Sequence, residues 1–274
     1  MEYKTLNNGV KMPMVGIGVY NISNQKTRSV VKDALDLGYR SIDTAAMYYN
    51  EKAVGEAVRS SSIPRDEIFV TTKICDPCYT REETLRSVDH SMSLLKLDYV
   101  DLMLIHWPVG DPVVMWKTLE ELYHKGMFRA IGLSNFYPHI FSKIMEIAEV
   151  KPVINQCETH VFYQQVKLLE YLKPYDVELE AWSPLAEGKH GIFNNKILVT
   201  IGEKYGKTAA QIALKFLVKK GIIVIPKTIH IERMKENIDI FDFELSEEDL
   251  SKIQKLDTGH NVTGWPSDAL AYHP

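Results

Sequence analysis

The chain has 274 residues, 45% of them hydrophobic and 25% charged, a composition typical of a globular protein with a large core. Its formal net charge of −4 argues against nucleic-acid and acidic-membrane binding, because both need a basic surface. The N-terminus has no apolar signal-peptide segment, no apolar run is long enough to span a membrane, and three cysteines make an odd count. We therefore expect a cytoplasmic protein without structural disulfides.

The chain opens on a predicted β-hairpin, because the Asn-Gly pair at residues 8–9 favours a tight turn between short apolar flanks. Eight short apolar runs then alternate with helix-length segments. The first of these segments, residues 25–37, has an apolar side and stops before Gly38, a residue that favours helix C-termini. Two later segments open with the spacing of a capping box, at Thr80 and at Thr208.

The apolar runs predict a parallel sheet covered by helices, since "LMLIHW" and "GIIVIP" are apolar without alternation. Eight strand and helix units predict a (β/α)8 TIM barrel with the N-terminal hairpin across its bottom. An open doubly wound sheet is the rival fold, yet "GIGVYN" supplies only the first two glycines of the dinucleotide-binding fingerprint. No composition break marks a linker, so we predict a single barrel domain over residues 1–274, with room for an extra loop at 186–195.

Every predicted strand ends at or near a polar residue. In a barrel of this type the C-terminal ends of all strands meet at the face that holds the active site. Strands must end in polar residues where they enter loops, but three ionisable side chains at these positions, Asp43, Lys73 and His106, exceed that requirement. The other runs finish with Gly18 and Tyr20, Ser134 and Asn135, Gln156, Ser183, and Lys227.

An acid, a lysine, a phenol and a histidine can together donate a proton to a developing alkoxide. The stretch "SIDTAAMYYN" offers Tyr48 or Tyr49 as the phenol, and spacing physics alone excludes neither. The ammonium of Lys73 would lower the pKa of that phenol, and Asp43 would keep the ammonium charged and oriented. His106 is suited to polarise a substrate carbonyl.

A proton donor without a nucleophile suggests that a nicotinamide cofactor delivers hydride to a carbonyl carbon. Trp182 offers an aromatic plane for the nicotinamide ring, and the polar side chains that end the fifth and sixth runs offer partners for its carboxamide. Lys227 and Arg233 lie near the start of a short helix in "PKTIHIERMKEN" and offer a grip for a phosphate.

The chain resembles the aldo-keto reductases from end to end, through "YRSIDTAAMYYNEKAVGEA", "VTTK", "LDYVDLMLIHWP", "AIGLSNF", "INQCETH", "AWSPL" and "IPKTIHIERMKENIDIFDFELS". The resemblance implies a (β/α)8 barrel that uses NADPH and a catalytic tetrad. The tetrad falls on Asp43, Tyr48, Lys73 and His106, because the family motif sets the tyrosine five positions after the aspartate. Tyr49 is then a pocket-rim or packing residue.

The same resemblance implies where the cofactor and substrate bind. Because Lys227 and Arg233, the two cations after the eighth run, are both present, the resemblance favours NADPH over NADH. The substrate wall is predicted at Tyr20, Tyr49, His106 and Trp107, with Trp265 a further apolar candidate, and Tyr20 stands where many relatives carry tryptophan. The implied cofactor-binding residues are Gly18, Asp43, Ser134, Asn135, Gln156, Trp182, Ser183, Leu185, Lys227, Thr228, His230, Arg233, Glu236 and Asn237.

Two other function classes fit parts of the sequence. A non-catalytic barrel that binds the cofactor as a sensor or subunit has no need of the intact tetrad. A metal-dependent hydrolase needs more strand-end ligands than His106 and Asp43.

We expect no metal, since "CDPC" lacks the further ligands of a zinc site, and we hypothesise a regulatory disulfide between Cys75 and Cys78. The prediction is a monomeric, NADPH-dependent reductase of small aldehydes and ketones.

Overall fold

A short antiparallel hairpin precedes the main sheet in the computed structural model, which describes residues 1–74 and 77–265. Its strands are β1 (Tyr3–Thr5) and β2 (Lys11–Pro13). Gly9 lies between them with φ +85°, a left-handed conformation that glycine adopts without strain. The Asn8 side chain accepts a hydrogen bond from the backbone N–H of Val10 at 3.1 Å, so the predicted turn is present.

Eight parallel strands follow and pair in chain order. The sheet closes on itself, because Val15 bridges Val224 in parallel and the N–H of Gly16 donates to the carbonyl of Val224 at 2.9 Å. The predicted (β/α)8 barrel is confirmed. The strands are β3 (Ile17–Gly18), β4 (Ser41–Asp43), β5 (Phe69–Ile74), β6 (Val100–Ile105), β7 (Phe128–Ser134), β8 (Ile154–Glu158), β9 (Glu178–Trp182) and β10 (Ile223–Val224).

Helices surround the barrel and connect its strands. The long connection between β9 and β10 holds 3₁₀ turns at Ala186–Gly188 and Ile192–Asn194 and then a helix beyond the predicted loop, α7. The helices are α1 (Asn24–Asp36), α2 (Glu51–Arg59), α3 (Arg81–Leu95), α4 (Pro112–His124), α5 (Pro138–Ile147), α6 (Val166–Leu172), α7 (Lys196–Tyr205), α8 (Ala209–Lys219), α9 (Ile231–Ile238) and α10 (Glu247–Gln254).

Local sequence signals set several of these helix ends. Thr80 caps α3 and Thr208 caps α8, each in a reciprocal capping box that satisfies backbone N–H groups of the first turn. Helix α1 begins and ends one residue earlier than predicted, and Gly38 follows it with φ +99°. No helix in the described part of the chain has the length and apolar character needed to cross a membrane.

The hairpin lies against the N-terminal ends of the barrel strands, as predicted. The Asn7 amide donates to the carbonyl of Pro152, just before β8, at 2.9 Å. The Asn8 amide donates to the carbonyl of Arg129, at the start of β7, at 3.0 Å. Because the hairpin covers this end, the opposite end, where the strands finish, is left for a cavity.

Candidate active site

A cavity of about 940 Å³ opens where the barrel strands end. Lys73 lies beneath it rather than on its surface, and Tyr49 and His230 do not line it. The structure therefore gathers most of the predicted site into one space. The predicted residues that line the cavity are Gly18, Tyr20, Asp43, Tyr48, His106, Trp107, Ser134, Asn135, Gln156, Trp182, Ser183, Leu185, Lys227, Thr228, Arg233, Glu236 and Asn237.

A buried ion pair forms the floor of the cavity. Lys73 is fully buried on β5, and its ammonium donates to both carboxylate oxygens of Asp43, at 2.6 and 2.8 Å. A third hydrogen bond, at 3.0 Å, goes to the backbone carbonyl of Thr44. Burial opposes the charged form of Lys73, but the charge and hydrogen bond of Asp43, together with the nearby Tyr48 and Glu180, outweigh it, so the pKa of Lys73 is raised. The ammonium is therefore held charged and fixed in place.

Tyr48 places its phenol over this pair. It belongs to a 3₁₀ turn at Ala46–Tyr48 after β4, and its hydroxyl lies 3.4 Å from the Lys73 ammonium. Burial raises the pKa of Tyr48 to about 12; the charge of Lys73 lowers it, and that of Asp43 raises it. The expected effect of Lys73 is present but is outweighed by burial. Tyr48 is therefore a protonated phenol at neutral pH, the form that a proton donor requires.

His106, just after β6, faces Tyr48 across the floor. The two rings meet edge to face, with centroids 5.7 Å apart. Burial, and then the charge of Lys73, holds the pKa of His106 well below its ordinary value, so the imidazole is neutral. Its Nδ1 is buried without a hydrogen-bond partner among the described residues. An unpaired lone pair is tolerated better than an unpaired N–H, which favours the tautomer whose proton is on Nε2.

The residues proposed to hold a carboxamide form a hydrogen-bonded row along one wall. The Asn135 amide donates to the His106 carbonyl at 3.1 Å and to the Ser134 hydroxyl at 3.0 Å. The indole N–H of Trp182 donates to the Asn135 side-chain oxygen at 2.9 Å. Asn135 has φ +63°, a left-handed conformation that asparagine tolerates better than most residues. The row fixes the Trp182 ring beside the cavity.

Sequence reasoning missed Glu180, a buried carboxyl group in β9. The side-chain nitrogen of Gln156 donates to Asp43 at 2.8 Å and to Glu180 at 2.8 Å, and so links the two acids. Burial, and then the charge of Asp43, raises the pKa of Glu180 to about 8. The local sequence signal for this residue was a glutamate two positions before Trp182 in an apolar run. That signal could not reveal its contacts, because Gln156 and Asp43 lie on other strands.

The far end of the cavity is cationic. Lys227 and Arg233 are exposed, line the cavity and form no salt bridge among the described residues. Thr228 is buried beside them, and its hydroxyl accepts from the N–H of His230 at 3.1 Å. Glu236 is hydrogen-bonded to the hydroxyl of Thr208, at the start of α8. This end therefore offers uncompensated positive charge to an anion.

The other end of the cavity has an aromatic wall. Tyr20 stacks at a tilt on Tyr48 with centroids 5.0 Å apart, and Trp107 stacks on Trp265 at 5.9 Å. Tyr49 is 83% exposed, adopts φ +55° and lies outside this wall, although the sequence predicted it there. A left-handed backbone at residue 49 turns its ring to solvent while the ring of residue 48 points inward.

Two loops that sequence reasoning did not connect close over the cavity. Glu158, at the end of β8, accepts from the backbone N–H groups of Val262 at 2.9 Å and Thr263 at 3.2 Å. Lys189, in the loop after β9, donates to the carbonyl of Thr263 at 3.0 Å. These contacts place Trp265 at the aromatic wall. The partners lie 74 to 105 residues apart in the chain, so no local pattern reveals these contacts.

No group of three or more His, Cys, Asp or Glu side chains within residues 1–74 and 77–265 is arranged to hold a metal ion. Cys75 lies outside the described residues, so the hypothesis of a disulfide with Cys78 stays a prediction.

Gly18 lines the cavity, and a Cβ there would lie only 3.0 Å from the Ile225 carbonyl oxygen. A side chain at this position would therefore press on the backbone after β10.

The sequence over residues 14–258 matches the model of the Aldo/keto reductase family. The chain belongs to this family. The glyoxal reductase of Bacillus subtilis (strain 168) is 43% identical over 267 residues, covering 97% of this chain and 96% of the relative. Methylglyoxal reductase DkgA of Escherichia coli (strain K12) is 40% identical over 260 residues, covering 94% of each.

A solved structure supports the same conclusion. The crystal structure of an aldo-keto reductase from a Medee basin deep-sea metagenome library matches with a TM-score of 0.90 at 41% identity, covering 94% of this chain and 96% of that chain. Membership in the aldo/keto reductases makes this chain an oxidoreductase of carbonyl compounds, and such enzymes generally use nicotinamide cofactors. The cavity at the strand ends is the place in this barrel where that chemistry fits.

Proposed function

We propose that this aldo-keto reductase reduces aldehydes and ketones to alcohols with NADPH, and that Tyr48 is the proton donor. The observation that carries the proposal is the contact of the Tyr48 hydroxyl with the Lys73 ammonium at 3.4 Å, beside the ring of His106. A carbonyl oxygen between the phenol and the imidazole Nε2–H accepts a hydrogen bond from each. Both donors then stabilise the negative charge that develops on this oxygen.

The proton leaves from the phenol of Tyr48. Its pKa of about 12 keeps the proton bound until an alkoxide, a stronger base, forms beside it. Lys73 stabilises the phenolate that remains, because its charge lies next to that oxygen. Asp43 keeps Lys73 charged and oriented, and neutral His106 orients the substrate without competing as an acid.

The cavity suits an elongated dinucleotide. NADPH supplies a hydride when bound. Trp182 and the row of Ser134 and Asn135 stand beside the tetrad, where they would hold a flat ring and its amide. Lys227 and Arg233 line the same cavity, where they would bind a terminal phosphate. A cavity that holds both a polar ring site and unpaired cations supports NADPH as the cofactor.

Small α-oxoaldehydes are the first substrates to test. The relatives at 43% and 40% identity are named for glyoxal and methylglyoxal. The aromatic wall of Tyr20, Trp107 and Trp265 also offers apolar contact to larger aldehydes. A panel of both kinds, ranked by kcat/KM from the loss of NADPH absorbance, will show which the wall prefers.

The decisive experiment compares two adjacent tyrosines. We expect Tyr48→Phe to lower turnover by about a thousandfold, within the range for removal of a general acid, while NADPH still binds. Tyr49→Phe is the matched control, since Tyr49 lies outside the cavity, and we expect wild-type turnover from it. Near-normal turnover by Tyr48→Phe would refute the mechanism. NADPH binding by the wild type without reduction of any carbonyl would indicate a sensor or subunit instead.

A further inference from the structure

Glu180 is a buried carboxyl group inside the barrel for which the tetrad gives no role. It is fully buried on β9 and pairs in register with Gln156 on β8. Its Oε2 accepts from the Gln156 amide at 2.8 Å, while its Oε1 is buried without a hydrogen-bond partner among the described residues. Burying a carboxyl group with an unpaired oxygen is unfavourable, so retaining it in a barrel core calls for a reason.

The contacts of Gln156 supply that reason. A side-chain amide has two N–H donors, and those of Gln156 point at two carboxyl groups, Asp43 on β4 and Glu180 on β9. A rotation of the amide by half a turn would set its oxygen against the Asp43 carboxylate, which electrostatic repulsion disfavours. Gln156 also lines the cavity. The amide oxygen is therefore the group that Gln156 has left to offer a ligand.

We propose that Glu180 is a positioning residue for the cofactor: together with Asp43 it fixes the amide of Gln156, so that the amide oxygen accepts from the N–H group of a nicotinamide carboxamide. The inference rests on the proposed function, since it names the ligand of the same cavity. Asp43 alone engages one N–H of Gln156 and leaves the other free. The second carboxyl group removes that freedom, and a fixed acceptor loses less entropy when a ligand binds.

Glu180→Met tests the proposal, because methionine keeps the length of the side chain without an acceptor oxygen. We expect this variant to bind NADPH about tenfold more weakly, within the range for leaving one buried hydrogen-bond donor without its partner. Glu180→Gln keeps an oxygen that accepts from Gln156, so its NADPH affinity should stay within about threefold of the wild type. The KM of the carbonyl substrate should not change in either variant.

A double-mutant cycle tells positioning from simple structural damage. If Glu180 acts through Gln156, Glu180→Met should weaken NADPH binding no further once Gln156→Leu is present. Glu120→Leu is the matched control, since this buried carboxyl group on α4 accepts from the backbone N–H of Glu149 at 2.6 Å and lies outside the cavity. It should lower the melting temperature without changing the affinity for NADPH.

Protein-bound NADPH fluorescence gives each dissociation constant. The proposal is overturned if Glu180→Met binds NADPH as tightly as the wild type. It is equally overturned if the double variant binds more than about threefold more weakly than Gln156→Leu, because the two residues then act independently. If Glu180→Met does not fold, Glu180→Leu takes its place in the cycle. Failure of the proposed function is distinguishable, because it appears in the wild type itself, which would then fail to bind NADPH or fail to reduce any carbonyl.

Discussion

The two ends of this barrel bury acidic and basic groups in opposite proportions. At the N-terminal end, one carboxylate, Asp101, lies between two guanidinium groups, those of Arg65 and Arg129, each 2.8 Å away. At the C-terminal end, one ammonium, Lys73, lies near two carboxyl groups: it contacts Asp43 directly, and Glu180 is linked to Asp43 through Gln156. One end has cations in excess of its buried acid, and the other has acids in excess of its buried cation.

The hydrogen bonds follow the same division. Both oxygens of Asp101 are engaged, and the N–H of Val70 adds a further bond at 2.9 Å. At the other end, Glu180 Oε1 and His106 Nδ1 are buried without partners among the described residues. Arg65 Nε is also buried without a partner among these residues, so the contrast concerns the acids: Asp101 is saturated, whereas Glu180 keeps an unpaired oxygen near the cavity. Substitutions at the two ends should therefore have separable effects.

The largest effect should come from Lys73→Met at the C-terminal end. We expect turnover to fall by about a thousandfold, because the phenolate of Tyr48 loses the adjacent ammonium that stabilises it. Single-turnover kinetics with NADPH and a saturating aldehyde measure the loss. Affinity for NADPH should stay within a few-fold of the wild type, and a variant that keeps a tenth or more of wild-type turnover would contradict this role.

At the N-terminal end, Asp101→Asn should cost stability and not activity. Loss of the buried ion pairs between Asp101 and the two arginines is expected to lower the free energy of unfolding by about 3 kcal/mol, because both guanidinium groups lose their carboxylate. Denaturant unfolding measures the change, and kcat/KM of the folded variant should equal that of the wild type. Asp36→Asn, at the exposed pair with Lys32, is the control and should change stability by less than about 0.5 kcal/mol. A large loss of kcat/KM in Asp101→Asn would erase the contrast between the ends.

The cationic far end of the cavity should show an effect on cofactor choice. Arg233→Ala is expected to raise the KM for NADPH about tenfold while leaving that for NADH unchanged, because only NADPH carries the additional phosphate. Lys235→Ala is the matched control on α9, since Lys235 pairs with Glu232 and does not line the cavity. Equal changes in KM for NADPH and NADH would show that Arg233 does not bind the additional phosphate of NADPH.

Glu180 should also make the stability of the fold depend on pH. The pKa of Glu180 is raised from 4.5 to about 8 by burial and by Asp43, so the folded protein binds a proton that the unfolded chain has released. Stability from this group is complete below about pH 4.5 and is lost as the pH rises toward about 8. Glu180→Gln cannot ionise, so its unfolding free energy should gain on that of the wild type as the pH rises across this window. Parallel stability curves for the two proteins would show that Glu180 is ionised in the fold.

Most of the fold, and the clustering of Asp43, Tyr48, Lys73 and His106, could be predicted from the sequence. Apolar runs without alternation, capping boxes at Thr80 and Thr208, and the turn at Gly9 are local signals, and the structure places each element where they predict it. The clustering of Asp43 and His106 followed from one rule, that parallel strands of a barrel end on the same face. Resemblance to the family then selected Tyr48 over its neighbour.

What the sequence by itself determined is which residues belong to strands, helices and strand ends, because these depend on contacts between near neighbours in the chain. Only the tertiary structure decided the electrostatics: burial outweighs Lys73 and raises the pKa of Tyr48, and Glu180 meets Asp43 through Gln156. It also decided that Glu158 holds the loop carrying Trp265. Desolvation and charge coupling depend on everything within a few ångströms, and closing the barrel brings together residues that are far apart in sequence.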